Sequence, residues 1–212
     1  MNESIRPTEQ EIMQWIVHTA AHSYHIEYFL QKLQIGAEDP DRPHDLVHAG
    51  NKFEWPAVKG LALQFRKNGH NDFYPQIMAS REYHRQQFHH RMWNQYYPSA
   101  TEDAMKMGAV DAICSLLEPR EYQGGCHSWK EISQIISGDP IHKIGWLRWM
   151  CSEMKQIGEP AIKGITKLSE IPRQGIAAET YDIVLGRADE TLKELEQTQG
   201  YRFNILPAQF IF

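Results

Sequence analysis

A chain of 212 residues with 42% apolar content is long enough to bury one substantial core, and too apolar for wholesale disorder. Its net charge of −5 and the lack of a basic run argue against nucleic acid as a partner. No apolar run approaches the roughly 20 residues of a bilayer span, and the polar start "MNESIRPTEQ" lacks the apolar stretch of a secretory leader. A cytoplasmic location with no membrane contact is the expectation.

The first expected helix runs from Thr8 to Gly36. Thr8 is the N-cap and Glu11 its capping-box partner. Ile12, Trp15, Ile16, Ile26, Phe29, Leu30 and Leu33 recur on it at helical spacing. After the loop "AEDPDRP", Pro43 opens a helix carrying His44, Asp45 and His48. "PAVKGLALQFRKNG" reads as a helix and "HNDFYPQ" as a turn-rich loop. "IMASREYHRQQFHHRMWNQYY" is helical again and is closed by Pro98. Ser99 and Glu102 cap the next helix, whose apolar face is Ala109, Val110, Ile113, Leu116 and Leu117. Residues 120–128 form a loop. Shorter helices are expected over 128–137, 140–157, 160–168 and 176–198, punctuated by Pro140, Pro160 and Pro172. Only the tail "YRFNILPAQFIF" has any strand character. The class is all-α.

The histidines are unevenly placed. Nine of the eleven fall between His18 and His90. His18, His22 and His25 share one face or adjacent faces of the first helix, because spacings of three and four bring side chains together. His84, His89 and His90 lie on a later helix among Arg81, Arg85 and Arg91. Asp111 stands inside the apolar run "MGAVDAICSLL", where a carboxylate is costly to bury unless it is paired or bound to a cation. Imidazoles and carboxylates together suit borderline divalent metals: manganese, iron, cobalt, nickel or zinc. The arginines are matched to phosphate oxygens. The three cysteines, Cys114, Cys126 and Cys151, have no metal-knuckle spacing and read as free thiols.

The ordered set of His22, the adjacent pair His44–Asp45, and Asp111 resembles the HD-domain superfamily of metal-dependent phosphohydrolases. The stretch "HDLVHAGNKFEW" also resembles the His-Asp signature of an uncharacterised HD-like family of phages and bacteria. "HHRMWNQYYP" and "VDAICSLLEPREY" resemble segments of HD-GYP proteins. Lys52 stands seven residues past Asp45, and "QYYP" carries no glycine, so a cyclic-dinucleotide substrate is not implied.

The resemblance covers roughly residues 15–125. It implies an HD-like helical bundle over 8–125, with a helical extension over 126–212 packing on the same core. The implied metal ligands are His22, His44, Asp45, His84, His89, His90 and Asp111, holding one or two ions. Asp45, His48 and Lys52 become catalytic candidates, and Arg81, Arg85 and Arg91 bind the substrate, a nucleotide or small phosphate ester. Two other readings fit the same residues: an HD-type diiron oxygenase, and a non-catalytic metal-stabilised binding module. The apolar tail packs back on the domain or onto a second copy in a homodimer.

Overall fold

The computed structural model describes residues 5–36, 52–85, 102–118, 127–138 and 145–203. Within them the chain is all helical, with no strand. The helices are α1 (Glu9–Lys32), α2 (Trp55–Leu61), α3 (Gly69–Asp72), α4 (Tyr74–Arg85), α5 (Glu102–Leu117), α6 (Trp129–Gly138), α7 (Gly145–Ile157) and α8 (Ala178–Gln199). No described helix is long and apolar enough to cross a membrane.

Helix α1 is the spine. Its start is the expected capping box: Thr8 Oγ1 accepts from the Glu11 amide, and Glu11 Oε2 accepts from the Thr8 amide at 2.8 Å. Beyond Lys32 the chain turns through Gln34 and Gly36, both at positive φ. At 24 residues the helix is about 36 Å long, enough to serve two separate cores. Its N-terminal half supplies Ile12, Trp15, Ile16 and Ala20 to the first, which also takes α2, Ile77 of α4, Ile162, Leu168 and the inner face of α8. Its C-terminal half supplies Ile26, Phe29 and Leu30 to the second, against Val110, Ile113 and Leu117 of α5, Ile132 of α6 and Met150 of α7. Fully buried side chains such as Phe29 and Ile113 each contribute roughly 1.5–3 kcal/mol. The junction of the two cores falls at His22 and His25.

Several expectations are corrected. The helix expected from Pro56 to Gly69 is α-helical only to Leu61, then tightens to a 3-10 turn over Ala62–Phe65. The expected loop 70–76 is mostly helical. Pro75 occupies the first turn of α4, where a missing amide hydrogen costs nothing. No helix forms over 160–167, where Gly164 sits at φ 81°, and only the 3-10 turn Leu168–Glu170 follows. Of the two courses expected of the apolar tail, packing back on the domain or onto a second copy, its described apolar residues, Tyr201 and Phe203, take the first, in the chain's own first core. The Tyr201 hydroxyl donates to the Pro7 carbonyl at 3.0 Å, and the Arg6 guanidinium lies 4.7 Å from the Tyr201 ring centre.

Two contacts set the packing around α2. Gly60 lets α4 approach closely: a Cβ there would lie 2.3 Å from Ser80 Oγ and 2.5 Å from the Gln76 carbonyl. The Ser80 hydroxyl in turn donates to the Pro56 carbonyl at 2.7 Å. Past α2, Arg66 grips the buried Glu11 carboxylate with Nε at 2.6 Å and Nη2 at 2.7 Å. Burial would raise the Glu11 pKa, but the Arg66 and Thr8 hydrogen bonds outweigh it and the carboxyl is held below its ordinary value.

Gly60→Ala should lower stability by about 1–3 kcal/mol in denaturant unfolding, since the clash is partly with backbone. Glu11→Gln should cost about 2 kcal/mol at neutral pH. Because the folded Glu11 value is lowered, the stabilisation is fully present above pH 4.5 and is lost as pH falls through that lowered value. Thermal melts of the two proteins should therefore converge in acid.

Candidate functional site

One turn of α1 and two turns of α5 face each other at the junction of the cores. The spacing Asp111, Cys114, Glu118 (i, i+3, i+7) puts these three on one face of the α5 segment. Opposite them, His22 and His25 are three apart on α1. All four polar residues are buried: His22 is 2% exposed, His25 1%, Asp111 8% and Glu118 5%.

The contacts are specific. His22 Nδ1 lies 2.8 Å from Glu118 Oε1 and 2.9 Å from Oε2, and its Nε2 lies 2.9 Å from Asp111 Oδ1. His25 Nδ1 lies 3.0 Å from the same Glu118 Oε1. Glu118 thus receives both imidazoles. Burial would raise its pKa, but the His22 charge and the bonds from His22 and His25 hold it well below the usual carboxylate range. For His22, burial acts to lower the pKa. The Glu118 charge overcomes this, the Lys52 charge opposes it, and the bonds to Asp111 and Glu118 add to it, so the value is raised. With no cation present, the imidazolium is the form that donates to both carboxylates at once.

This arrangement suits a metal-ligating histidine. Such a ring usually gives its second nitrogen to a carboxylate, which fixes the tautomer and leaves the first nitrogen free to coordinate. Glu118 is placed for that role and Nε2 faces a second carboxylate. The 2.9 Å from Nε2 to Asp111 Oδ1 is an ordinary N–H···O hydrogen-bond length. Among the described residues, however, no group of three or more His, Cys, Asp or Glu is arranged to hold one ion. Further ligands would have to come from elsewhere in the chain.

The other sequence candidates divide into three sets. His44, Asp45, His48, His89, His90 and Arg91 lie outside the described residues. His84 and Arg85 fall in the last turn of α4. Lys52 and Arg81 are placed. The Lys52 carbonyl accepts from Trp15 Nε1 at 2.9 Å, which fastens the chain after residue 51 to α1, and its ammonium acts on His22. Arg81 Nη2 donates to Gln64 Oε1 at 3.1 Å, and Gln64 Nε2 donates to the Leu61 carbonyl at 3.0 Å. Next to Gln64, Phe65 meets His18 in a T-shaped contact with ring centres 6.1 Å apart, and His18 stacks on His22 with ring centres 6.4 Å apart. A line of contacts therefore runs from Arg81 to the buried histidine.

Glu118 was not singled out from sequence, since it closes an apolar run just before Pro119. The signal was its helical register with Asp111, seven residues earlier. Cys114, between them, is a fully buried free thiol; burial, then the Glu118 and Asp111 charges, push its pKa well up and keep it protonated.

No family model matches the chain, and no curated protein or solved structure matches it either.

Glu118→Ala leaves two buried imidazoles without their carboxylate. It should cost about 3–5 kcal/mol in urea unfolding of the metal-free protein. A loss below 1 kcal/mol would show that the cluster is not an ion pair.

Proposed function

We propose that the chain is an HD-like metal-dependent phosphohydrolase whose ligands include His22 and Asp111. One observation carries the reading. The fold brings His22 and Asp111, 89 residues apart, to 2.9 Å, with the other nitrogen of His22 held by Glu118. These are the first and last ligands that the HD resemblance assigns. The intervening ligands in that reading are His44 and Asp45. They lie in the span 37–51, which is flanked by Ile35, whose amide donates to the Leu30 carbonyl of α1, and by Lys52, whose carbonyl accepts from Trp15. His84, His89 and His90 complete the donor set for a second ion.

A divalent manganese, iron, cobalt, nickel or zinc ion in such a site supplies acidification of water toward neutral pH and polarisation of a phosphoryl oxygen. The protein's own groups do the rest. Glu118 keeps His22 in the tautomer whose Nε2 lone pair faces inward. Asp45, in this reading, orients the attacking water, and His48 protonates the leaving oxygen. Lys52, whose charge already acts on His22, offsets charge on the phosphate, and Gln64 holds Arg81 as a phosphate clamp, joined by Arg85 and Arg91. The substrate class is a nucleotide or a small phosphate monoester or diester.

Metal analysis of the purified protein, followed by a nucleotide and phosphoester screen with each of these metals, tests the reading. Bound metal and metal-dependent phosphate release are expected. Asp111→Ala and Asp45→Ala should each lose metal and reduce turnover by at least about 100-fold. Full metal occupancy in both variants would refute the site. Two redox-active irons with no phosphatase activity would instead support the oxygenase.

A further inference from the structure

The turn that leads into α3 encloses a cleft of about 310 Å³ that the metal-centre reading does not use. Arg66, Lys67 and His70 line it, with the carboxamides of Asn68 and Asn71 beside them and the Phe65 ring at one wall. No carboxylate is among the lining residues. Ligand sites run from roughly 300 to 1,000 Å³, so a cleft of this size suits a small molecule and not a polymer.

Arg66 is fixed in its plane. Its Nε and Nη2 bind the Glu11 carboxylate at 2.6 and 2.7 Å, Nη2 also donates to the Arg6 carbonyl at 3.1 Å, and the guanidinium lies 5.0 Å from the Phe73 ring centre. Those bonds occupy one edge of the planar fork. The two N–H bonds of Nη1 have no partner among the described residues. Glu11 therefore orients the guanidinium without using all of its donors. Even with Arg66 and Glu11 counted as a neutral pair, the exposed Lys67 ammonium leaves the cleft positive.

The backbone is constrained as well. The Gly69 amide donates to the Arg66 carbonyl at 2.6 Å, and Asn68 between them sits at φ 60°. A Cβ on Gly69 would lie 1.9 Å from the Leu63 carbonyl oxygen, so only glycine lets the turn close against Leu63. Left-handed backbone at a residue other than glycine persists where the surrounding structure over-determines it. The turn that carries Arg66, Lys67 and Asn68 is thereby held in one shape.

The donors set the ligand. A guanidinium nitrogen, an ammonium, an imidazole and two carboxamides offer more N–H groups than a carboxylate can accept, whereas a phosphate group spreads them over three or more oxygens. We infer that this cleft binds a phosphate group, free or carried by a small molecule, with Arg66 and Lys67 as its charged anchors. The site is separate from the buried cluster. Two ring contacts lie between them, Phe65 to His18 and His18 to His22. The inference does not depend on the metal-centre reading.

The test is isothermal titration of the full-length protein, freed of metal by a chelator, with AMP and with inorganic phosphate at fixed ionic strength. Saturable binding at one site is expected. Lys67→Glu replaces an exposed anchor by a like charge and should weaken binding by at least about 10-fold while the protein stays folded. Lys59→Glu makes the same change of net charge at an exposed position of α2 outside the cleft, and should leave the affinity within about 2-fold. Tighter binding of AMP identifies the ligand as a nucleotide, and equal or tighter binding of inorganic phosphate identifies the free ion; both support phosphate recognition here. Equal losses in the two variants would reveal general charge attraction and overturn the inference. So would an absence of binding, or binding that appears only when metal is restored, which would place the phosphate at the metal centre instead.

Discussion

The structure depends on one carboxylate placed between two imidazoles. Glu118 is 5% exposed and receives His22 and His25 through hydrogen bonds of 2.8 to 3.0 Å. Isolated, any of these groups would be expelled from the interior or neutralised there, because an unpaired buried charge costs several kcal/mol. Together they hold one another in place, and they lock α1 to α5 in a single register. A slide of one helix by a turn would move the carboxylate about 5.4 Å and leave both rings unmatched.

That register explains the division of the core. Apolar contacts fix which faces meet but tolerate small slips, whereas a buried polar cluster tolerates none. α1 carries apolar residues on both sides of the cluster, so one helix serves two cores and the polar groups mark their boundary. Such a boundary is a natural place for chemistry. The polar groups are held by helices, and the surrounding aliphatic side chains exclude bulk water and strengthen the electrostatic contacts between them. The raised His22 pKa and the lowered Glu118 pKa record the pairing of these groups, which overcomes the opposite effect of their burial. The aromatic line from His22 through His18 to Phe65, with Gln64 and Arg81 beyond, connects the cluster to a guanidinium on α4.

The helices were largely legible because their local signals are strong. The Thr8–Glu11 capping box, the apolar period of α1 and the Ser128–Glu131 cap of α6 all act within four residues. The misread segments are those where local cues conflict. Pro75 suggests a break, yet it is harmless in a first helical turn. The stretch 160–167 has a helical apolar pattern but bends at Gly164. Within the site, Asp111 was conspicuous as a carboxylate in an apolar helix. Glu118 was not, because a glutamate before a proline at the end of an apolar run looks like an ordinary helix end.

Sequence alone determined the all-helical class, the start of α1, the clustering of histidines and a carboxylate, Asp111, inside an apolar helix. Those features depend on residues close together in the chain. Which histidine meets which carboxylate depended on how α1 and α5 pack across 89 to 96 residues of sequence. On α1, His18, His22 and His25 are neighbours on adjacent faces, and nothing local separates them. Only the position of α5 does so. It gives His22 two carboxylates and His25 one, and leaves His18 stacked beside them.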